Sequence, residues 1–200
     1  MRDVAQIVEP PSLVVAAADG RLLGSGDRYE KKLKDLAGLY RDTAAFDQEL
    51  ADRADESVYW VESSAPETGD GALTIGLSVL EPGRIGEEFA MTRGHIHAQS
   101  QHAELYYGIS GTGVMLLDTV DGESRAVPIS AGVVVHVPGY WIHRSVNVGN
   151  DRLVTLFAYA TTAGQDYGII ERAGGMSQLV VADGDDWIAR SNPDHRGYVA

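Results

Sequence analysis

From residue 57 onward the chain is a succession of short apolar segments cut by glycine, proline and aspartate, and this cadence limits the fold more than any other feature. Leu73–Leu80 alternates Leu73, Ile75, Leu77 and Val79 against Thr74, Gly76 and Ser78, the period-two pattern of a strand with one apolar face. Ser57–Glu62 precedes it, separated by a polar loop at 65–71. Glu104–Ile109, Gly113–Asp118, Ala126–Ile129, Val133–Val137, His143–Val148 and Leu153–Tyr159 follow. Between them stand Ser110-Gly111-Thr112, Asp121-Gly122, Gly132, Pro138-Gly139 and Gly149-Asn150, all turn formers. Strands this short and this evenly punctuated predict an antiparallel sandwich or small barrel. Beyond Gly174-Gly175, Gln178–Val181 and Trp187–Ala189 could add strands, with the acidic turn Asp183–Asp186 between them.

The first 56 residues read differently. Ser12–Ala16 could be a strand and the stretch from Gly20 to Gly26 a loop. Asp27 with Glu30 three residues on resembles a capping box, and Leu33, Leu36 and Tyr40 follow at helical spacing. This predicts an amphipathic helix over Arg28–Tyr40, its lysines forming a solvated face. A second short helix is expected at Ala44–Asp52, with Phe46 and Leu50 on one face. The whole is expected to be a single domain, residues 1–200, with an extension over about 1–56 and a β core over about 57–182.

Two hundred residues suffice for one sizeable core. A net charge of −13 argues against nucleic acid or an anionic membrane as partner. The charge also means that a phosphorylated ligand must be held by local donors. The absence of cysteine rules out disulfides and thiolate metal sites. The apolar run Leu13–Ala18 is too short for a signal core, and no run approaches the roughly 20 residues of a membrane span. A cytoplasmic location is the expectation.

The chemistry concentrates in Thr92–Glu104 and in His143. His95 and His97, two residues apart, leave the same face if they lie on a strand, and Gly94 before them permits close backbone approach. A gap of seven leads to Glu104, and His143 follows a Pro-Gly turn. Three imidazoles and a carboxylate suit Fe(II), Mn(II), Ni(II) or Zn(II). His102 could replace one ligand but reads as a polar neighbour of the rim. His136 reads as a hydrogen-bonded histidine on a strand, facing the barrel or the surface, His195 as solvated, and Arg93 as a surface residue.

The same residues resemble a known family. Gly94-His95-x-His97, with Glu104 and a later His143, is similar to the metal motif of the cupin superfamily. Met91-Thr92-x-Gly94-His95-x-His97, Ala103-Glu104-x-Tyr106, Pro138-x-Tyr140-Trp141-x-His143-Arg144 and Asp166-Tyr167-Gly168 resemble the cupin-type, or archaeal-type, glucose-6-phosphate isomerases over roughly residues 30–170. The resemblance implies a mainly β protein, a jelly-roll barrel of antiparallel strands with one or two short N-terminal helices. It implies one divalent metal per chain, Fe(II) foremost, held by His95, His97, Glu104 and His143, and assembly as a homodimer. Glucose 6-phosphate and fructose 6-phosphate would be interconverted through an enediol, with Glu104 as base, and mannose 6-phosphate could share that enediol. Thr92, Gly94 and Tyr159 match phosphate-holding positions, and Ser78 stands where a threonine is expected. Tyr106 and Tyr167 match pocket-lining aromatics, and Gln165 replaces a histidine associated with opening the sugar ring. The rival readings are a metal-dependent cupin dioxygenase and a non-catalytic sugar-phosphate-binding cupin.

Overall fold

A computed structural model describes residues 12–199. The described residues begin with a hairpin, β1 (Val14–Ala16) and β2 (Arg21–Leu23), around a 3-10 turn. β3 (Asp27–Lys32) runs into a 3-10 turn at Leu33–Leu36, then α1 (Thr43–Arg53). β4 (Ser57–Ser64), β5 (Leu73–Leu80), and the two-residue β6 (Arg84–Ile85) and β7 (Glu88–Phe89) come next. β8 (Glu104–Ser110), β9 (Thr112–Thr119), β10 (Ser124–Ser130), β11 (Val134–Val137), β12 (Trp141–Asn147) and β13 (Leu153–Ala160) are the strands read from the turn signals. The short α2 (Gly168–Arg172) leads to a terminal hairpin, β14 (Gln178–Asp183) and β15 (Asp186–Ser191).

A six-stranded sheet in the order β11-β8-β13-β5-β4-β3 faces a three-stranded sheet, β10-β9-β12, and every pairing is antiparallel. From β8 to β13 the chain passes repeatedly between the two sheets, which fits the jelly-roll expectation. The main core joins them: Tyr106, Val135 and Phe157 from one sheet meet Met115, Leu117, Ile129 and Ile142 from the other. The third sheet, β15-β14-β7-β6, adds Val180 and Ile85 to the same cluster. Among the described residues no helix is long and apolar enough to cross a membrane.

The predicted helix at Arg28–Tyr40 does not form; β3 occupies its first part as the edge strand beside β4. Its run Asp-Arg-Tyr-Glu-Lys-Lys is mostly charged, a composition that protects a sheet edge as readily as it decorates a helix. Leu33 and Leu36 are buried, but from a single 3-10 turn stabilised by the Lys32 N–H donating to Asp35 Oδ2 at 3.0 Å. The second helix is present, with Asp42 accepting from Ala45 N at its N-terminus and Phe46 buried against Tyr40. The expected loop from Gly20 to Gly26 contains β2. Its Leu22 joins Trp60, Leu77, Val79 and Val154 in a second apolar cluster. Glu62, also on this face, accepts from Leu22 N at 2.6 Å and pairs with Arg21 and Arg28, tying the N-terminal hairpin down.

The consequence for β5 is decisive. Leu77 and Val79 pack under the N-terminal hairpin, so Thr74, Gly76 and Ser78 turn toward the interior between the two main sheets. Gly76 is needed there because a Cβ would fall 2.1 Å from Phe157 Cζ. Phe157 in turn stacks on Tyr159 at 5.7 Å. Gly76→Ala is expected to lower stability by about 1–3 kcal/mol through overpacking, read as a shifted urea midpoint at unchanged slope. An unshifted midpoint would contradict this packing.

Candidate metal centre

His95, His97, Glu104 and His143 come together, each offering one ligand atom within 4.8 Å of the others. Glu104 opens β8 and points inward with Tyr106, while Leu105 and Tyr107 face out. His143 lies on β12 in the opposite sheet. The His95–His97 segment is an extended run bridged on both edges rather than a regular strand. His95 exchanges backbone hydrogen bonds with His143 at 3.0 and 2.9 Å, and Ile96 pairs with Asp166. The expectation that both rings share a face holds because the backbone is extended there. Their centroids are 5.4 Å apart, and the Nε2 atoms of both approach Glu104.

A single oxygen, Glu104 Oε2, lies 3.0 Å from His143 Nε2, 3.2 Å from His97 Nε2 and 3.8 Å from His95 Nε2. The far nitrogens of two rings are anchored: His97 Nδ1 lies 2.9 Å from the His102 carbonyl and His143 Nδ1 3.2 Å from that of Trp141. These anchors place the protons on Nδ1 and turn the Nε2 lone pairs inward, the arrangement that metal-binding histidines use. His95 Nε2 and His97 Nε2 are buried with no hydrogen-bond partner. Orphaned imidazole nitrogens against a buried carboxylate fit a divalent cation, and the all-nitrogen-and-oxygen donor set suits one of borderline hardness.

The electrostatics agree. Burial pushes Glu104 up, but the His143, His97 and His95 rings gathered around it outweigh burial and hold the carboxyl well below its usual range. Burial, reinforced by His143, drives His95 well down, so its ring is neutral and its lone pair free. Tyr106 is pushed well up by burial and by Glu104, which keeps its hydroxyl protonated beside the site.

The cleft above the four ligands holds every other site residue read from the sequence: Ser78, Thr92, Gly94, Tyr106, Tyr159 and Tyr167. Thr92 Oγ1 accepts from Ser145 N at 3.1 Å, leaving its hydroxyl proton free to donate. Gly94 adopts φ +71°, a left-handed conformation that favours glycine, and a Cβ there would lie 2.8 Å from Arg144 Cβ. Gln165 occupies a place that sequence reasoning could not foresee. Tyr167 OH donates to its Oε1 at 2.7 Å and its Nε2 donates to Tyr159 OH at 3.3 Å, so its amide fixes both hydroxyls. Tyr29, expected within a helix, lines the same cleft as Tyr167. The missing signal was tertiary, since these residues meet only once β3, β13 and the 165–167 turn are assembled.

The remaining histidines stand outside the ligand set. His102 gives its backbone carbonyl to His97, while its ring sits at the rim near Gln99 and Thr162. His136 lies on β11 facing the surface, one of the two orientations expected for it, with no side-chain hydrogen bond among the described residues. His195, expected to be solvated, is half-buried instead, its Nδ1 2.9 Å from the Gly175 carbonyl and its ring against Tyr198. Arg93, expected at the surface, is half-buried with its guanidinium 5.4 Å from the Tyr167 ring.

Comparison with known proteins places this geometry. The family model described as glucose-6-phosphate isomerase (GPI) matches residues 30–196. A glucose-6-phosphate isomerase of Sinorhizobium medicae is 44% identical over 182 residues, covering 91% of this chain and 85% of the relative. One from Thermococcus onnurineus is 42% identical over 163 residues, covering 82% and 85%. Among solved structures, a Bacillus subtilis oxalate decarboxylase mutant aligns at a TM-score of 0.45 and 24% identity, over 56% of this chain and 28% of that one, a likeness too slight to bear on activity. The family match includes the four clustered residues and the cleft residues from Ser78 to Tyr167, and on it the chain belongs to the glucose-6-phosphate isomerase family.

Proposed function

We propose that the protein interconverts glucose 6-phosphate and fructose 6-phosphate, with Glu104 as the catalytic base. The observation that carries the reading is the convergence of three imidazoles on one oxygen of Glu104 beneath a cleft lined with hydroxyls and the Gly94 amide. A divalent ion held by His95, His97, Glu104 and His143, Fe(II) foremost, would act as a Lewis acid toward the oxygens on carbons 1 and 2. Glu104 turns Oε2 to the histidines, which leaves Oε1 to take the proton from one carbon and return it to the other. Its depressed pKa keeps it ionised at neutral pH. Ser78 and Thr92 hydroxyls and the Gly94 N–H hold the phosphate, supported by Tyr159 and Tyr167. Tyr106 stays protonated and can donate to a developing oxyanion.

Gln165 does not titrate, so it cannot open the sugar ring by acid–base catalysis. It orients Tyr159 and Tyr167 instead, and the open-chain form is the species that reaches Glu104. The chain works as a single domain in the cytoplasm, where phosphorylated sugars are retained. The outer face of β8 and β11, with Leu105, Tyr107 and Val134 exposed, supports a homodimer.

Turnover of fructose 6-phosphate in deuterated water tests the base directly. Proton transfer through Glu104 is expected to place solvent deuterium on carbon 2 of the glucose 6-phosphate formed. Complete retention of substrate hydrogen would instead require a hydride shift and remove Glu104 from the base role.

A further inference from the structure

We propose that Arg144 is the positioning residue for the phosphate-binding amide of Gly94, acting through the peptide bond that joins Arg93 to Gly94. This inference rests on the phosphate placement of the preceding section and assigns a new role to a residue outside that contact set.

Arg144 lies between His143 and Ser145 on β12, and the period of the strand sends its side chain away from the cleft that His143 enters. It is 4% exposed. Its Nη2 donates to the Arg93 carbonyl at 2.8 Å and its Nη1 contacts Met91 Sδ at 3.0 Å, while Nε has no partner. Among the described residues it forms no ion pair within 4.0 Å. Glu88 acts on it only from beyond ion-pair distance, and that carboxylate accepts from Arg41 N at 2.7 Å instead. A buried guanidinium without a close carboxylate is costly and calls for a compensating anion.

The geometry shows how that charge reaches the cleft. The chain has no cis peptide bonds, so the Arg93 C=O and the Gly94 N–H of the shared peptide point in opposite directions. With the carbonyl fixed on Arg144 behind the lip, the N–H is aimed forward. Among the described residues no group accepts from the Gly94 N–H. A cation donating to the carbonyl also polarises the amide and strengthens its N–H as a donor. Arg144 is the one Arg or Lys among the described residues bordering the cleft, and it does so from behind the lip, its guanidinium turned to Met91 and the Arg93 carbonyl. A dianionic phosphate is thereby accommodated on a chain of net charge −13 without a cationic side chain touching it.

The test uses full-length, Zn(II)-loaded, isotope-labelled protein titrated with inorganic phosphate. In the wild type the Gly94 amide proton is expected to move downfield as phosphate binds. Arg144→Met should weaken phosphate about 10- to 100-fold, the worth of a hydrogen bond involving a charged group. It should raise KM for fructose 6-phosphate by a similar factor while metal content and kcat at saturating substrate stay near wild type. Arg144→Lys, which can still donate to the Arg93 carbonyl, should recover most of the affinity, a rescue that a purely packing role does not give. Wild-type phosphate affinity in folded Arg144→Met would overturn the proposal. So would an unmoved Gly94 amide in the wild type, which decides the matter even where the methionine variant does not fold. Phosphate bound at Gly94 without turnover of fructose 6-phosphate would refute the isomerase reading alone. Turnover with an unmoved Gly94 amide would refute this proposal alone.

Discussion

Glu104→Gln is expected to reduce conversion of fructose 6-phosphate to glucose 6-phosphate by at least about 10²–10⁴ in kcat/KM, the range that positioned proton transfer supplies. Glutamine keeps the volume and a carbonyl oxygen facing His97 and His143 but removes the basic group. Excess divalent metal should therefore fail to restore turnover, which separates loss of the base from loss of a ligand. Circular dichroism should remain that of a β protein, because the core joining the two sheets does not depend on this side chain. A Glu104→Gln variant with wild-type turnover would end the base assignment while leaving the four-ligand geometry in place.

The second large effect is expected at His97. Its Nε2 is buried and unpartnered, 3.2 Å from Glu104, and its Nδ1 is fixed by the His102 carbonyl. His97→Ala should reduce turnover to background at stoichiometric metal. Binding of metal to the folded state raises wild-type stability by about 2.7 kcal/mol at 100 times Kd. For a chain of this size that is a rise in Tm of roughly 5–10 °C. Equilibrium dialysis and thermal melts with and without metal check both parts. The alanine variant should melt at one temperature in either condition, and a full metal-induced rise in that variant would show that His97 is not a ligand.

Much of this molecule was legible before any coordinates. The strands from β8 to β13 sit where the turn residues placed them, because each apolar run is short and bounded by Gly, Pro or Asp. The candidate metal centre is legible because three of its four residues lie within ten positions and the fourth follows a marked turn. The errors have physical causes. β3 resembles a helix in sequence because the charged residues that guard a sheet edge are also good helix-surface residues, and because Leu33 and Leu36, buried from one 3-10 turn, and Tyr40 beyond it fall at a coincidentally helical spacing. β6, β7 and α2 are too short for any periodicity to register. The alternation in Leu73–Leu80 was correct, but its polar face, carrying Ser78, lines the site while its apolar face supports the N-terminal hairpin. Gln165 between two tyrosines, and Arg144 behind the Arg93–Gly94 peptide, depend on contacts between segments far apart in the chain.

The central claim is that these four ligands make a metal-dependent isomerase. Its most direct test is to strip the purified protein of metal, reload it with Fe(II), Mn(II), Ni(II) or Zn(II), and measure glucose 6-phosphate formed from fructose 6-phosphate. The expected result is turnover that is lost on stripping, returns on reloading and stays absent in His97→Ala. Full turnover by stripped protein, or none with any of the four metals, would contradict it.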